Sequence, residues 1–525
     1  MEVATVIGFH IDMNIAQFTR EYLEKWLAQL ALLGYDTVIW EVENNIKWRS
    51  CPECVSPDAF SKDQFRQILA LCRKLDLEPV PLLQTIGHAE YVLKHDRYKP
   101  LAEDPSRIDQ YCPRNPDLLP FLEKWIDEYL ELFEPIKYFH LGADEVWNLG
   151  ACPKCRAFVE KASLSDLYID HVNAVAAPLV RRGITPVIWA DMVLHHHQAL
   201  GKLSRDIALF DWMYDIHHGR GGVWVWGREY FAADKLPPDV VREFGRYLFP
   251  RGDEPGREPE TFYTADYLAA KGFEVVKCPA ASSYGDNVFS PRNYYHLVNT
   301  FDSARKGAEA HLAGTVLTSW TVHLFPYELQ LASIDAPPYL AEHPRASIGT
   351  YEEAFMKARF GVSDERFWRA CGLLSKRCLF TYTDSLGYNK AALPVPLDHV
   401  RKTIAKVKSD GRIAEEAENC RARLAEYKEA LALFEAFAKK AREGHAYLAF
   451  WLFAARNLIN RAECSLALLC AAAGEKPRVF DLLSEMRILR DETDELYAPI
   501  IKPARRREMI EWIFASMESA LAALS

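Results

Sequence analysis

A parallel (β/α)8 barrel, an α/β TIM-type fold, followed by an all-helical C-terminal domain is the architecture this sequence predicts. Three observations predict it. Eight nearly all-apolar runs of strand length alternate with amphipathic helical patterns over the first two-thirds of the chain, as in a sheet buried on both faces. Carboxylates, histidines and tryptophans recur where those runs end. From about Tyr351 the alternation gives way to helical periodicity. The 525 residues exceed one ordinary core, and the expected division is a barrel over 1–345 and a helical domain over 346–525.

The strands are read at Ala4–Met13, Thr37–Val42, Glu78–Leu83, Ile136–Leu141, Thr185–Ala190, Ile207–Trp212, Phe273–Cys278 and Gly314–Trp320. Between them helices are expected from Phe18 to just before Gly34, from Asp63 to Leu75 and from Leu118 to Phe133. No Gly-rich dinucleotide turn follows the first strand, which argues against a doubly wound open sheet. Gly219–Glu260, rich in Gly, Pro and charge, reads as a long insertion between strands six and seven. Beyond Tyr351, Leu424, Tyr427, Leu431, Phe434 and Ala438 recur at three and four residues, one face of a helix. Ala446–Ala473 is apolar nearly all round and reads as a central buried helix, needing cover from its own domain, the barrel or a second copy in a homodimer. Pro503 opens a last helix where proline is tolerated.

A formal charge of −10 argues against nucleic acid or an anionic membrane as partner. No run approaches the ~18 uncharged apolar residues of a membrane span. The N-terminus shows no basic stretch leading into an apolar one, so no secretory signal is read and a cytoplasmic location is expected. Twelve cysteines then read as reduced thiols or metal ligands.

A barrel places its chemistry at the C-terminal ends of its strands. Those ends offer His10 and Asp12, then Glu41, Glu43 and Asn44, then Gln84 and His88. Next come Asp144 and Glu145, Trp189 and Asp191, Asp211 and Trp212, Tyr284 and Asp286, and finally Trp320 and His323. The adjacent carboxylates Asp144 and Glu145, with Gly142 and Ala143 before them and Trp147 after, stand out as a catalytic pair. Carboxylates with aromatics suit glycoside hydrolysis. Two neighbours in sequence fit poorly as an acid and a nucleophile on opposite sides of a bond. They fit better when the substrate's own 2-acetamido oxygen attacks, the class set apart from the two-carboxylate rule.

His140–Glu145 followed by Val146-Trp147 resembles the catalytic motif of the family-20 glycoside hydrolases, the β-N-acetylhexosaminidases. Pro81–His88 is similar to that family's strand ending in Gly-His, and Cys278–Asp286 to its seventh-strand segment. The resemblance covers roughly residues 4 to 330 and is strongest to the intracellular, hexosaminidase-D-like branch. It implies that Glu145 is the general acid/base and that Asp144 orients the acetamido nitrogen. It implies further that Tyr284 donates to the acetamido oxygen, that Asp286 binds a sugar hydroxyl and that His88 supports Glu145 through a relay. Trp189, Trp212 and Trp320 would box the N-acetyl methyl. Two positions depart from the family pattern: Ile7 stands where a first-strand Arg is usual, and Val322 where an acid is usual. Hydroxyl recognition would then fall to His10, Asp12 and Glu41. The implied activity is exo-cleavage of terminal β-linked GlcNAc or GalNAc from a glycoconjugate, with no catalytic cofactor. A metal-dependent hydrolase on the same barrel, or a non-catalytic amino-sugar binder, are the competing readings.

Cys51-Pro52-Glu53-Cys54 and Cys152-Pro153-Lys154-Cys155 each have zinc-knuckle spacing. Together the four thiolates would close a structural zinc site. The competing reading is two unrelated reduced pairs. His195-His196-His197 reads as a solvated loop past a strand end.

Overall fold

The structure, a computed structural model, describes residues 6–217, 221–250, 258–309, 312–321, 326–386 and 395–524. Eight parallel strands form its first unit: β1 Val6–Asp12, β2 Thr37–Glu41, β3 Glu78–Leu82, β4 Tyr138–His140, β5 Thr185–Trp189, β6 Ala208–Trp212, β7 Val275–Cys278 and β8 Gly314–Ser319. They pair in chain order, and β1 returns to β8 through Val6↔Gly314 to Phe9↔Leu317, which closes the barrel. The expected eightfold barrel is what the chain builds. Register aligns the strand ends: Asp12 faces Glu41, Glu41 faces Leu82 and Leu82 faces His140. Polar residues just past those positions therefore emerge side by side at one rim.

Helices cover the outside for local reasons. In Lys62–Lys74 the Ser61 side chain caps the Gln64 amide while Gln64 returns a bond to the Ser61 amide, the reciprocal cap that satisfies two orphan donors. Phe65, Ile68, Leu69 and Cys72 lie on one face and are buried, each worth roughly 1.5–3 kcal/mol for the larger apolar side chains. Phe65 meets the Trp40 ring of β2 edge-on at 5.2 Å. Leu118–Phe133 forms over the residues the periodicity predicts.

Two segments differ from expectation. After β3 a hairpin of Ala102–Asp104 and Arg107–Tyr111 is added, which the polar run Glu103-Asp104-Pro105-Ser106-Arg107 conceals. Within the expected insertion, Gly222–Trp224 pairs with Tyr230–Ala232, and Pro238–Leu248 is a helix burying Val240, Phe244, Tyr247 and Leu248.

The second unit gathers residues 15–22, 280–298 and 319–525. Short pieces of the region expected as barrel thus pack with the helical domain, and the boundary at 345/346 is not where the packing divides. Ile413–Ala438 and His445–Ala472 are its long helices, joined by a turn in which Gly444 adopts φ 74°. Phe434 stacks on Trp451 at 5.5 Å between them. Residues 15–22 are held by the chain's far end: Phe18 bridges Ile501, the Thr19 amide donates to Ile500 O at 2.8 Å and the Lys502 amide to Gln17 O at 2.8 Å. The last helical stretch starts at Pro503, as its sequence requires.

Candidate active site

The Asp144–Glu145 pair follows β4 on a backbone few residues adopt. Gly142, Ala143 and Glu145 have φ of 65°, 72° and 50°, and His88 on the facing turn has 50°. Non-glycine residues there cost on the order of 1 kcal/mol each and persist only when the surroundings enforce them. Here they do. The Thr85 amide and hydroxyl both donate to Leu141 O, the hydroxyl at 2.6 Å. Tyr168 OH donates to Ala143 O at 2.8 Å, and the Trp189 amide to Gly142 O at 3.0 Å. A Cβ on Gly87 would collide with Asp144 O, and one on Gly142 with the Gln84 amide oxygen. Gly87 is therefore required by close approach to backbone, and Gly142 by its left-handed φ together with the nearby Gln84 side chain.

This bend turns both carboxylates toward one imidazole. His88 Nε2 lies 3.1 Å from Asp144 Oδ2 and 3.3 Å from Glu145 Oε2, so His88 touches both acids directly rather than through a relay. Their settings differ. The Asp144 side chain is 6% exposed and that of Glu145 42%. Asp144 Oδ1 is buried and has no hydrogen-bond partner among the described residues. One acid thus keeps a buried acceptor with no protein donor among the described residues, and its neighbour faces solvent.

Asp191, at the end of β5, holds this arrangement from behind. Its Oδ2 accepts from the Glu145 amide at 3.0 Å and its Oδ1 from Trp212 Nε1 at 3.3 Å. Burial, and then the Asp144 charge, push its carboxyl well above the usual range, which favours the neutral form. Its position at a strand end was legible; its task was not, because both partners come from other strands. Trp212 is partly exposed and starts an aromatic wall: Trp226 lies 4.6 Å away, His195 5.9 Å from Trp226, and Trp147 4.9 Å from His195. Nothing in the sequence singled out Trp226. His196 instead bonds Ser165 and His197 the Leu194 carbonyl, so the three histidines point to separate partners.

The remaining expected residues divide clearly. His10 Nε2 lies 3.0 Å from Glu41 Oε2, and Gln84 Nε2 donates to Glu41 Oε1 at 2.9 Å, a buried chain across β1, β2 and β3. Asp12, also buried, accepts from the Asn14 amide at 2.8 Å. Trp189 is fully buried against His140, 4.3 Å away, and burial holds His140 well below its ordinary value. In the second unit Tyr284 is 65% exposed, Trp320 is partly exposed, and Asp286 is fully buried. Asp286 accepts from Arg292 Nε at 2.8 Å and lies 2.9 Å from His296 Nε2. Val322 and His323 lie outside the described residues.

The cysteines correct the expected zinc set. Cys51 and Cys54 are joined to each other as a disulfide, so neither offers a thiolate, and the expectation of wholly reduced thiols fails there. Cys152 and Cys155 instead meet Cys112 and Glu103, the four ligand atoms within 4.8 Å of one another. Cys112 is a lone cysteine in sequence, and only the hairpin brings it to the pair.

Residues 31–218 match the model described as glycosyl hydrolase family 20, catalytic domain. Hexosaminidase D of Bos taurus is 28% identical over 245 residues, 43% of this chain and 71% of that protein. Hexosaminidase D of Homo sapiens is 31% identical over 189 residues, and the match spans 35% of this chain but only 39% of that relative. Among solved structures, the β-N-acetylhexosaminidase from Bacteroides fragilis is 15% identical with a TM-score of 0.48, covering 74% of this chain and 75% of that one. The family-20 exo-β-N-acetylglucosaminidase from Vibrio harveyi is 16% identical with a TM-score of 0.47, covering 66% and 56%.

Proposed function

We propose that this chain, a glycoside hydrolase belonging to family 20 and akin to hexosaminidase D, is a retaining exo-β-N-acetylhexosaminidase working by substrate-assisted catalysis. The observation that carries this reading is the asymmetry of the acidic pair. A buried carboxylate oxygen without a protein donor suits a substrate amide N–H, a charge-assisted bond that would hold the acetamido group against the anomeric carbon. The solvent-facing Glu145 suits proton delivery to the leaving oxygen. In the first step the acetamido oxygen bonds to the anomeric carbon, the glycosidic bond breaks, and Glu145 gives its proton to the departing oxygen. Asp144 balances the charge of the resulting oxazolinium. Glu145 then takes a proton from water as that water opens the ring from the face the aglycone left. His88, between both acids, fixes their spacing.

The aromatic side chains Trp212 and Trp320, with Tyr284, are read as sugar contacts, and Tyr284 as donor to the acetamido oxygen. Ile7 in place of an Arg removes a rigid two-hydroxyl fork. Both GlcNAc and GalNAc β-glycosides should therefore be cleaved, with kcat/KM values within about tenfold. A cytoplasmic setting and a homodimer are part of the same reading, supported by the ten free cysteines and by the long apolar helix.

Hydrolysis of paired aryl β-glycosides tests it. Glu145→Gln should lose ~10²–10⁴-fold on poor leaving groups and less on activated ones. Asp144→Asn should lose on the order of 10²-fold on both. A thiazoline mimic of the oxazoline should inhibit strongly. Trapping a glycosyl group on an enzyme carboxylate would overturn the mechanism.

A further inference from the structure

The hairpin after β3 and the start of helix Pro153–Val159 bring together four side chains that the hydrolytic reading does not use. Glu103 lies on the first hairpin strand, Cys112 directly follows the second, and Cys152 and Cys155 flank the first turn of the helix. Cys112 Sγ is 3.4 Å from Cys152 Sγ and 3.6 Å from Cys155 Sγ, and Cys155 Sγ is 3.1 Å from Glu103 Oε2. Sulfurs bound to one tetrahedral ion at a metal–sulfur distance of about 2.3 Å stand about 3.8 Å apart, so a small inward or outward adjustment suffices. A disulfide needs about 2.05 Å, which neither pair approaches.

Electrostatics point the same way. Glu103 is 2% exposed, and among the described residues no Lys or Arg lies within ion-pair reach of it. Its protein partners are the Cys152 amide, which donates to Oε1 at 2.8 Å, and the Cys155 thiol. A buried carboxylate beside three thiols and no cation is costly unless a cation joins it. The Cys155 amide also donates to Cys152 Sγ at 3.3 Å, a bond that supports negative charge on that sulfur. Leu167, with the partly buried Leu149, Phe158 and Val159, packs around the sulfurs.

We propose that Glu103, Cys112, Cys152 and Cys155 bind one zinc-class divalent cation in a closed, structural site. Three sulfurs and one carboxylate select a thiophilic ion that accepts tetrahedral geometry. Binding releases the thiol protons to solvent and leaves no position for water or substrate. The site's consequence is mechanical. The second hairpin strand is stitched on one side to the Gly87–His88 turn, through the Tyr111 amide to Ile86 O at 2.8 Å and the Ala89 amide to Asp109 O at 3.0 Å. On the other side Gln110 Oε1 accepts from the Asn148 amide at 2.8 Å. A metal at its end ties this strand to Cys152, so the loop leaving Glu145 is anchored at both ends.

Metal analysis of the purified full-length chain tests the proposal. About one zinc per chain is expected, retained in a Cys51→Ser/Cys54→Ser variant and lost in Cys112→Ser. Glu103→Gln should retain the three sulfurs yet bind zinc at least tenfold more weakly in a chelator competition. Should Cys112→Ser fail to fold, cobalt reconstitution of the unmodified chain replaces it, and a strong sulfur-to-cobalt charge-transfer band is expected. Mass spectrometry finding Cys112 in a disulfide, a chain free of bound metal, or zinc lost with Cys51 and Cys54 would each overturn it.

Discussion

Asp211, next to last in β6, is fully buried, with Thr264 Oγ1 donating to its Oδ2 at 2.7 Å. Burial, only partly offset by that bond, raises its carboxyl to about 7. Because the folded chain holds this proton more tightly than the unfolded one, the group's stabilisation is complete below the unfolded value near 4. It is lost as pH rises through 7. The gap corresponds to about 4 kcal/mol. Asp211→Asn should therefore narrow the difference in Tm between pH 5 and pH 8 by several degrees; an unchanged difference would show that Asp211 is not the group responsible. At this scale the sequence revealed residues whose meaning is local. Asp144 and Glu145 announce themselves by adjacency after an apolar run, and His88 by its Gly-His step. Asp191 and Cys112 acquire their partners only through the barrel's closure and the added hairpin, and no spacing rule reaches them.

Helix His445–Ala472 shows what periodicity conveys and what it conceals. Its ends fall within a residue of those read from the apolar run, yet Asn457, Asn460 and Arg461 are buried as well. A helix buried around most of its circumference leaves such residues on a covered face, and hydropathy alone cannot say which of them are paired. Asn460 donates to Leu482 O at 3.2 Å, whereas both terminal nitrogens of Arg461 lack hydrogen-bond partners among the described residues. The guanidinium lies 5.3 Å from the Phe514 ring centroid, and burial lowers it to about 10. An unpaired buried cation destabilises the helix, so Arg461→Met should raise stability by about 1–3 kcal/mol in thermal or urea unfolding. A fall would mean the charge is compensated and the helix depends on it. The barrel strands were legible because burial on both faces leaves continuous apolar runs. The hairpin of Ala102–Asp104 and Arg107–Tyr111 was not, since Glu103, Asp104, Arg107 and Asp109 fall along its strands in no regular alternation, and Glu103 is buried despite its charge.

For the molecule as a whole, the second unit draws on three separated stretches of chain. Tyr22 OH donates to Glu328 Oε2 at 2.8 Å, and Asn287 Nδ2 to Leu374 O at 2.6 Å. A chain ended near residue 350 would strand residues 15–22 and 280–298 without the helices they pack on. Such a fragment should be insoluble on expression, and a soluble, fully active one would show that the helical region is dispensable.

The strand-like bridge of Phe18 to Ile501 sets a timetable for synthesis. A ribosome adding roughly 5–20 residues each second exposes residues 15–22 about half a minute to a minute and a half before their partners near residue 500. Through that interval Phe18 and Tyr22, both buried in the finished protein, are sticky surface on a nascent chain. Local helices can form as they emerge, but this clasp closes only after the residues near 500 have left the ribosome. Pulse-labelled chains should therefore bind holdase chaperones until the segment near residue 500 is released, and slowing elongation should lengthen that dependence in proportion.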